Sequence, residues 1–315
     1  MNQYLHSIID KLFHHSSDYP LIITADELNQ FFKQAWSQSA DQQQTVSAEK
    51  SLVGEKSSLY NGRGMDYSES RAYVSGDDIR HINWKQSARN AELISNQYYQ
   101  ENENTDYIVL DLRASMMFGT RTQNKAATAI KAAVVAAMYS LKQHKSVCII
   151  KLQNSLIQSP LISSYQQLLE YFNAVAAKKQ TRQTTLQPNF SSALRFIQAL
   201  KPAYSLIAVI SDCNDVTDNE RSLITTISSV NQLRLYKISD PVEVKLPDIC
   251  PIHYQSVSSS QSVTISNKKE LRYYQDQINQ FNKSISTLLE SLDTPVSYLS
   301  NQLTDQELIK QTRPA

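Results

Sequence analysis

Residues 105–120 read TDYIVLDLRASMMFGT, and this stretch decides the fold. Tyr107-Ile108-Val109-Leu110 is an apolar run of the length of one buried strand, and a strand is expected over 107–112. The run meets Asp111, and a loop of polar and small residues follows, Arg113, Ala114 and Ser115. A long helical pattern then begins near Asn124. An acid at the carboxyl end of a buried strand, with a hydroxyl four residues on, sits where an open α/β sheet forms its ligand crevice.

Strand and helix alternate from there to the end. Ala126, Ile130, Ala133, Val134, Ala137, Met138 and Leu141 share one face of a helix over 124–144. A strand over 146–152 is nearly continuous in apolar residues, as a buried parallel strand should be. A short hairpin partner is expected over 156–161. Helices follow over 164–177 and 190–200, and a strand over 204–210 runs into Ser211-Asp212. A helix over 218–230, capped by Asp218, leads to a strand over 233–239. After a proline-rich passage over 241–251 come a strand at 263–265 and a long helix. Its Leu271, Tyr274, Ile278, Phe281, Ile285, Leu288 and Leu292 recur every three or four residues, a seam for packing on a partner surface. A final strand is expected over 295–299. The class is α/β, a doubly wound, mostly parallel sheet, with an N-terminal helical and extended segment packed on it. Three regions follow: helical 1–50, a charged segment of extended strands and turns over 51–104, and the α/β domain over 105–310.

Composition narrows the function classes. The 315 residues are 41% hydrophobic, enough to bury a sizeable core. A net charge of +1 gives no global field toward nucleic acid or membrane. No apolar run approaches the roughly 18 residues of a membrane helix, and the N-terminus lacks the pattern of a signal peptide. Cys148, Cys213 and Cys250 are unclustered, so reduced core thiols of a cytoplasmic protein are expected rather than zinc ligands or a disulfide framework. Five glycines, none after Gly119, leave no GxxxxGK[ST] or GxGxxG phosphate loop. GxSxG is absent too.

In the N-terminal part, Leu28, Phe31, Phe32 and Ala35 form one face of a peripheral helix with Thr24 as N-cap. Residues 61–104 interleave charges of both signs with Tyr67, Tyr73 and Trp84. Gly76-Asp77-Asp78 is a turn signal. Arginine forks beside carboxylates and aromatic faces can form an ordered network, or a solvated charged face.

Asp111 and Asp212 each end a strand, and in a parallel sheet both ends face one edge. With Ser115 they offer hard oxygen ligands of the kind Mg²⁺ takes. An acid in that place also serves simply to cap the next turn. The arrangement resembles the von Willebrand factor A domain, whose metal site reads Asp-x-Ser-x-Ser after the first strand, with a threonine from a middle loop and a later aspartate. Asp111, Ser115 and Asp212 match that motif. Arg113 stands at the middle serine, and Pro188 falls where the threonine is expected, with Thr184 and Thr185 nearby. The resemblance therefore implies a degraded metal-ion-dependent adhesion site, in which Arg113 pairs with Asp111 or Asp212 in place of the ion. No cofactor is expected; Mg²⁺ is the ion such a site would take.

The segment before the sheet carries a second, longer resemblance. Arg63-Gly64, Asp66, Glu69, Arg71, Tyr73, Asp77, Asp78, Arg80, Trp84 and Arg89 resemble the signature of the DUF58 family. LDLRASMMFGT, the later ISD and the Asp240-Pro241-x-Glu243 passage resemble it as well. The resemblance implies a bacterial, non-enzymatic interaction module that works with a MoxR-type AAA+ ATPase in chaperone-like assembly or maturation. Membrane-anchored A-domain proteins would be further partners. The implied place is the cytoplasm, reaching the inner membrane only through partners. The sheet edge at Asp111, Arg113, Ser115 and Asp212 would be the docking site. Two other classes stay open. One is a Mg-dependent hydrolase or phosphoryl-transfer enzyme using Asp111 and Asp212, with His81 as base. The other is nucleic-acid binding through Arg63, Arg71, Arg80, Lys85 and Arg89, which the interleaved acids oppose.

Overall fold

Strand β3 (Thr105–Asp111) lies inside a six-stranded sheet because its residues are apolar on both faces. A computed structural model of the protein describes residues 22–40, 61–74, 79, 82–90, 92–99, 105–120, 123–177, 188–255, 262–292 and 294–313. It divides into two compact units, residues 42–104 and the remainder.

The larger unit holds the sheet. Helix α1 (Ala25–Ala40) precedes it, and β3 leads through a short 3-10 turn (Ala114–Met117) into α3 (Lys125–Lys142), β4 (Ser146–Leu152) and β5 (Leu156–Gln158). Helices α4 (Tyr165–Ala177) and α5 (Phe190–Leu200) cross to β6 (Leu206–Ser211), α6 (Arg221–Ser228) and β7 (Gln232–Ser239). The last elements are α7 (Pro241–Val244), a two-stranded ribbon of β8 (Ile252–Gln255) and β9 (Ser262–Ile265), α8 (Lys268–Glu290), β10 (Val296–Ser300) and α9 (Asp305–Thr312). The sheet order is β10-β7-β6-β3-β4-β5, parallel except for β5. The backbone first builds outward from β3 to β4, then returns to build β6 and β7 on the other side. The reversal lies between β3 and β6, and an open sheet forms its crevice at such a point.

The strand period of two sorts the core. Ile108 and Leu110 face one layer, with α1, α3, α4 and α9; Val109 faces the other, with α5, α6 and α8. Helix α3 is buried on nearly every side because α1 covers it with Leu28, Phe31, Phe32 and Ala35. The helix expected at the periphery is thus part of the core. The apolar seam of α8 packs on the sheet itself through Leu271, Ile278, Phe281, Ile285 and Leu289. Thr24 does pair with Glu27 at the start of α1.

Local chemistry departs from expectation at several points. Thr217, not Asp218, caps the turn before α6, because Glu220 completes a reciprocal pair of bonds with it. The proline-rich passage begins with α7, whose Asp240 and Glu243 form the same kind of box. Cys148 and Cys213 are buried, but Cys250 is exposed rather than a core thiol. Helix α9 extends the fold past the expected final strand, and Thr304 and Glu307 form its capping box. Among the described residues no helix is long and apolar enough to cross a membrane.

The smaller unit pairs β1 (Asn61–Ala72) antiparallel to β2 (Ile94–Tyr99), with α2 (Trp84–Asn90) between them. Neutral side chains tie α2 to the hairpin. Ser70 bonds Gln86 and Asn96 at 3.0 and 2.9 Å, and Asn83 bonds Asn96 at 3.1 Å. Of the charged signature, Arg71 donates to the Ala72 carbonyl, Tyr73 is half-buried, and Trp84 and Arg89 are exposed. Asp77, Asp78, Arg80 and His81 lie outside the described residues, as do Thr184 and Thr185. Arg63, Asp66 and Glu69 lie on β1, and their side chains are not described.

Gly119 sits where the β3–α3 loop meets the start of α3. A Cβ there would lie 2.6 Å from both the Asn124 Cα and the Gln123 carbonyl oxygen. Backbone cannot move aside as a rotamer can, so Gly119→Ala should lower stability by about 1–3 kcal/mol. Urea unfolding of the purified protein measures this, and an unchanged midpoint would show that the loop has slack.

Candidate functional site

Three adjacent strand ends close in the same way. β3, β6 and β7 run into Asp111, Asp212 and Asp240, and each carboxylate accepts the backbone N–H two residues on. The donors are Arg113 at 3.0 Å, Asn214 at 3.4 Å and Val242 at 2.9 Å. Aspartate favours this local turn wherever it ends a strand. Cys213, with φ 55°, takes the left-handed conformation directly after Asp212 and donates its N–H to Ser211 Oγ at 3.1 Å. All three aspartates are essentially inaccessible to solvent, so each needs more than one amide to be stable there.

Asp111 obtains its partners from its own loop and from β6. Arg113 Nε lies 3.0 Å from Oδ1 and Nη2 lies 2.7 Å from Oδ2, a two-pronged contact. Ser211 Oγ donates to Oδ2 at 2.6 Å. The far edge of the same guanidinium holds Asp215, whose Oδ1 accepts from Nη2 at 3.0 Å. Asp215 also accepts the N–H of Phe190 at 2.9 Å, which anchors the start of α5. Arg113 therefore joins β3, the loop after β6, and the loop where the resemblance expects a threonine. Burial pushes the Asp111 carboxyl up, beyond the lowering effect of Arg113. Burial opposes the Arg113 charge, but Asp111 and Asp215 together raise it well above the ordinary value.

Asp212 has a different cation. Lys125, wholly buried as the first residue of α3, places Nζ 3.1 Å from Asp212 Oδ2 and also bonds Glu243 Oε1. A cation at a helix N-terminus faces the positive end of the helix dipole. Two carboxylates offset that as well as the burial. The Ser115 hydroxyl adds a small lowering effect on the Asp212 carboxyl. Burial alone would raise Asp212, yet the charges of Lys125, Arg113 and Lys237 hold its carboxyl far below the usual range. Burial likewise pulls Lys125 down, and Glu243 and Asp212 reverse this, raising the ammonium above the usual lysine value.

Asp240 is held by neutral donors. Thr120 contributes its N–H at 2.9 Å and its hydroxyl at 2.7 Å, and Asn301 Nδ2 lies 2.7 Å away. It ties the β3–α3 loop to the ends of β7 and β10.

The structure thus brings Asp111, Arg113, Ser115 and Asp212 to one edge and adds Asp215, Lys125, Glu243 and Asp240. A hard divalent cation needs several carboxylate or hydroxyl oxygens with free lone pairs. Here the oxygens of Asp111 face Arg113 and Ser211, and Asp212 faces Lys125. An added divalent ion would meet two fixed positive charges. Among the described residues no three His, Cys, Asp or Glu side chains are grouped to hold an ion. These residues do not fit a bound metal.

Lys125 yields the sign for pH. Its folded value is raised, so its contribution is complete below the usual lysine value of 10.5 and is lost as pH rises through the folded value. Lys125→Met leaves Asp212 and Glu243 without their cation and should cost about 3–5 kcal/mol near neutrality. The gap between wild type and variant, followed by denaturant unfolding, should narrow above about pH 10.5; a constant gap would place the ammonium elsewhere.

Residues 69–283 match the model of a family described as "Protein of unknown function DUF58". Uncharacterized proteins of Mycobacterium bovis and Mycobacterium tuberculosis are 24% identical over 209 residues, 66% of this chain and 65% of each relative. The match thus spans just under two thirds of these curated relatives. Among solved structures, BatB from Bacteroides thetaiotaomicron aligns with a TM-score of 0.37 and 12% identity, covering 66% of this chain and 95% of that one. The SpRpn10 VWA domain aligns with a TM-score of 0.39 and 11% identity, covering 66% and 94%.

Proposed function

This chain belongs to the DUF58 family, and we propose that it is a non-enzymatic docking module for a MoxR-type AAA+ ATPase, acting in chaperone-like assembly or maturation. Membrane-anchored A-domain proteins are the proposed further partners, and the cytoplasm the proposed place. The metal-ion-dependent adhesion site is read as degraded, with Arg113 and Lys125 in place of the ion.

One observation supports this reading above the others: the carboxylates at the sheet edge already face fixed cations. Arg113 spans Asp111 and Asp215, and Lys125 spans Asp212 and Glu243. Metal-assisted hydrolysis needs an open coordination position, and a general base needs a free lone pair near a substrate. Carboxylates already bound to fixed cations offer neither. A rigid, pre-paired edge is instead well suited to docking, since less order must be imposed when a partner arrives.

The test is a pull-down with a MoxR-type AAA+ ATPase from the same organism. Wild type should retain it. Asp111→Ala combined with Arg113→Ala, which removes both halves of one pair and leaves Asp215 uncovered, should reduce recovery about tenfold or more, in line with a loss of about 1.4 kcal/mol or greater. Circular dichroism must show that the variant stays folded. Undiminished recovery would remove this edge from the interaction.

A further inference from the structure

One cation at this edge is not used up by the pairs described. Lys237, near the end of β7, is 7% exposed. Among the described residues its ammonium makes one hydrogen bond, to the Asp212 carbonyl at 2.8 Å. An ammonium carries three N–H donors, so two remain. Lys237 lines a cleft between the strand ends and α8, together with Asn214 and Ser239. Neither the Asn214 amide nor the Ser239 hydroxyl has a side-chain partner among the described residues. Glu243 also lines the cleft, but Lys125 and the Asp240 N–H take its two oxygens.

A buried ammonium, an amide and a hydroxyl with donors to spare form a site for a negative group. The cleft has room for about 10 Å³, the space of one water-sized group. A space of that size admits one oxygen and leaves the rest of the group at the mouth, where a flat carboxylate is less bulky than a tetrahedral oxyanion. Lys237 adds to the charges that hold the Asp212 carboxyl low, but the Asp212 and Glu243 carboxylates bond Lys125, and among the described residues no carboxylate is in hydrogen-bond contact with the Lys237 ammonium. Ile278, Phe281 and Asn282 of α8 form the remaining wall, and its two apolar side chains offer a surface for the methylene stem that carries a carboxylate. We propose that this cleft receives a single carboxylate, an Asp or Glu side chain or the C-terminal carboxylate of a protein partner, with Lys237 as its counter-charge. The choice of a protein as source rests on the docking-module reading above.

Thermal unfolding of the full-length protein tests the cleft itself. The probe is sodium acetate at ionic strength held constant with sodium chloride, with inorganic phosphate as a second arm. A ligand that binds only the folded state raises Tm in a saturable way. Acetate should do so in wild type, and phosphate should not. Lys237→Met should abolish the acetate response, and Asn214→Ala should weaken its apparent affinity at least threefold. Equal effects of acetate and chloride would overturn the proposal, and so would a saturable response to phosphate alone. An acetate response that survives in Lys237→Met would do the same. Should Lys237→Met fail to fold, unchanged acetate affinity in Asn214→Ala is the overturning result. The pull-down separates the two readings: saturable acetate without ATPase recovery sinks only the functional reading, and recovery without an acetate response sinks only the cleft.

Discussion

A carboxylate buried at the end of a strand is stable only when donors or a positive charge face it. Here that requirement falls on one sheet edge several times over, at Asp111, Asp212, Asp240 and Glu243. The β3–α3 connection supplies most of the answer. Arg113 follows Asp111 by two residues, Ser115 follows Arg113, Thr120 reaches Asp240, and Lys125 opens the next helix. A single loop thereby neutralises or bonds acids from three strands. Its close approach to the start of α3 explains why the position between these contacts is Gly119.

The rest of the architecture follows from holding that loop in place. Helix α3 must begin at depth for Lys125 to reach Asp212, and so it is sheathed by α1, α4 and α9. Its alanines let the neighbours approach closely. Asp215 fixes the start of α5 through Phe190, and Asn301 brings the end of β10 to Asp240. Packing and electrostatics are one constraint here. The charges stabilise the fold only if the helices bury them in the right register, and the helices end where the charges can be met.

The skeleton is legible in the amino-acid sequence and the pairing is not, for a physical reason. Apolar runs mark strands and period-three-to-four spacing marks helices, so Asp111 and Asp212 can be placed at strand ends. Pattern reading treats Lys and Asp as solvent-facing, however. It passes over Lys125 as a first-turn residue, Lys237 as a polar position in a strand, and Asp215 as loop. The Asp240-Pro241-x-Glu243 passage is visible as a family feature, but its physics needs the fold: Asp240 binds Thr120 and Asn301, while Glu243 meets Lys125. Helix α1 reads as peripheral because its own sequence is amphipathic. The clue lies in α3, which has no polar face and so requires a cover on its far side.

A tethered cation and a bound ion impose different rules on whatever meets this edge. An ion's occupancy follows its concentration, and its open coordination positions let a partner bind directly to it. The Arg113 and Lys125 groups are present at full occupancy in fixed places, and their donors are already directed inward at Asp111, Asp215, Asp212 and Glu243. A partner cannot add itself on top of such a cation without breaking a buried pair, at about 3–5 kcal/mol. In the docking proposed above, recognition takes place beside the pairs, by groups whose hydrogen-bonding capacity the fold has not consumed. Lys237 on the α8 side of the edge has that capacity. On that proposal, the same pairing that closes the strand ends to an ion moves the point of contact from the crest of the sheet toward α8.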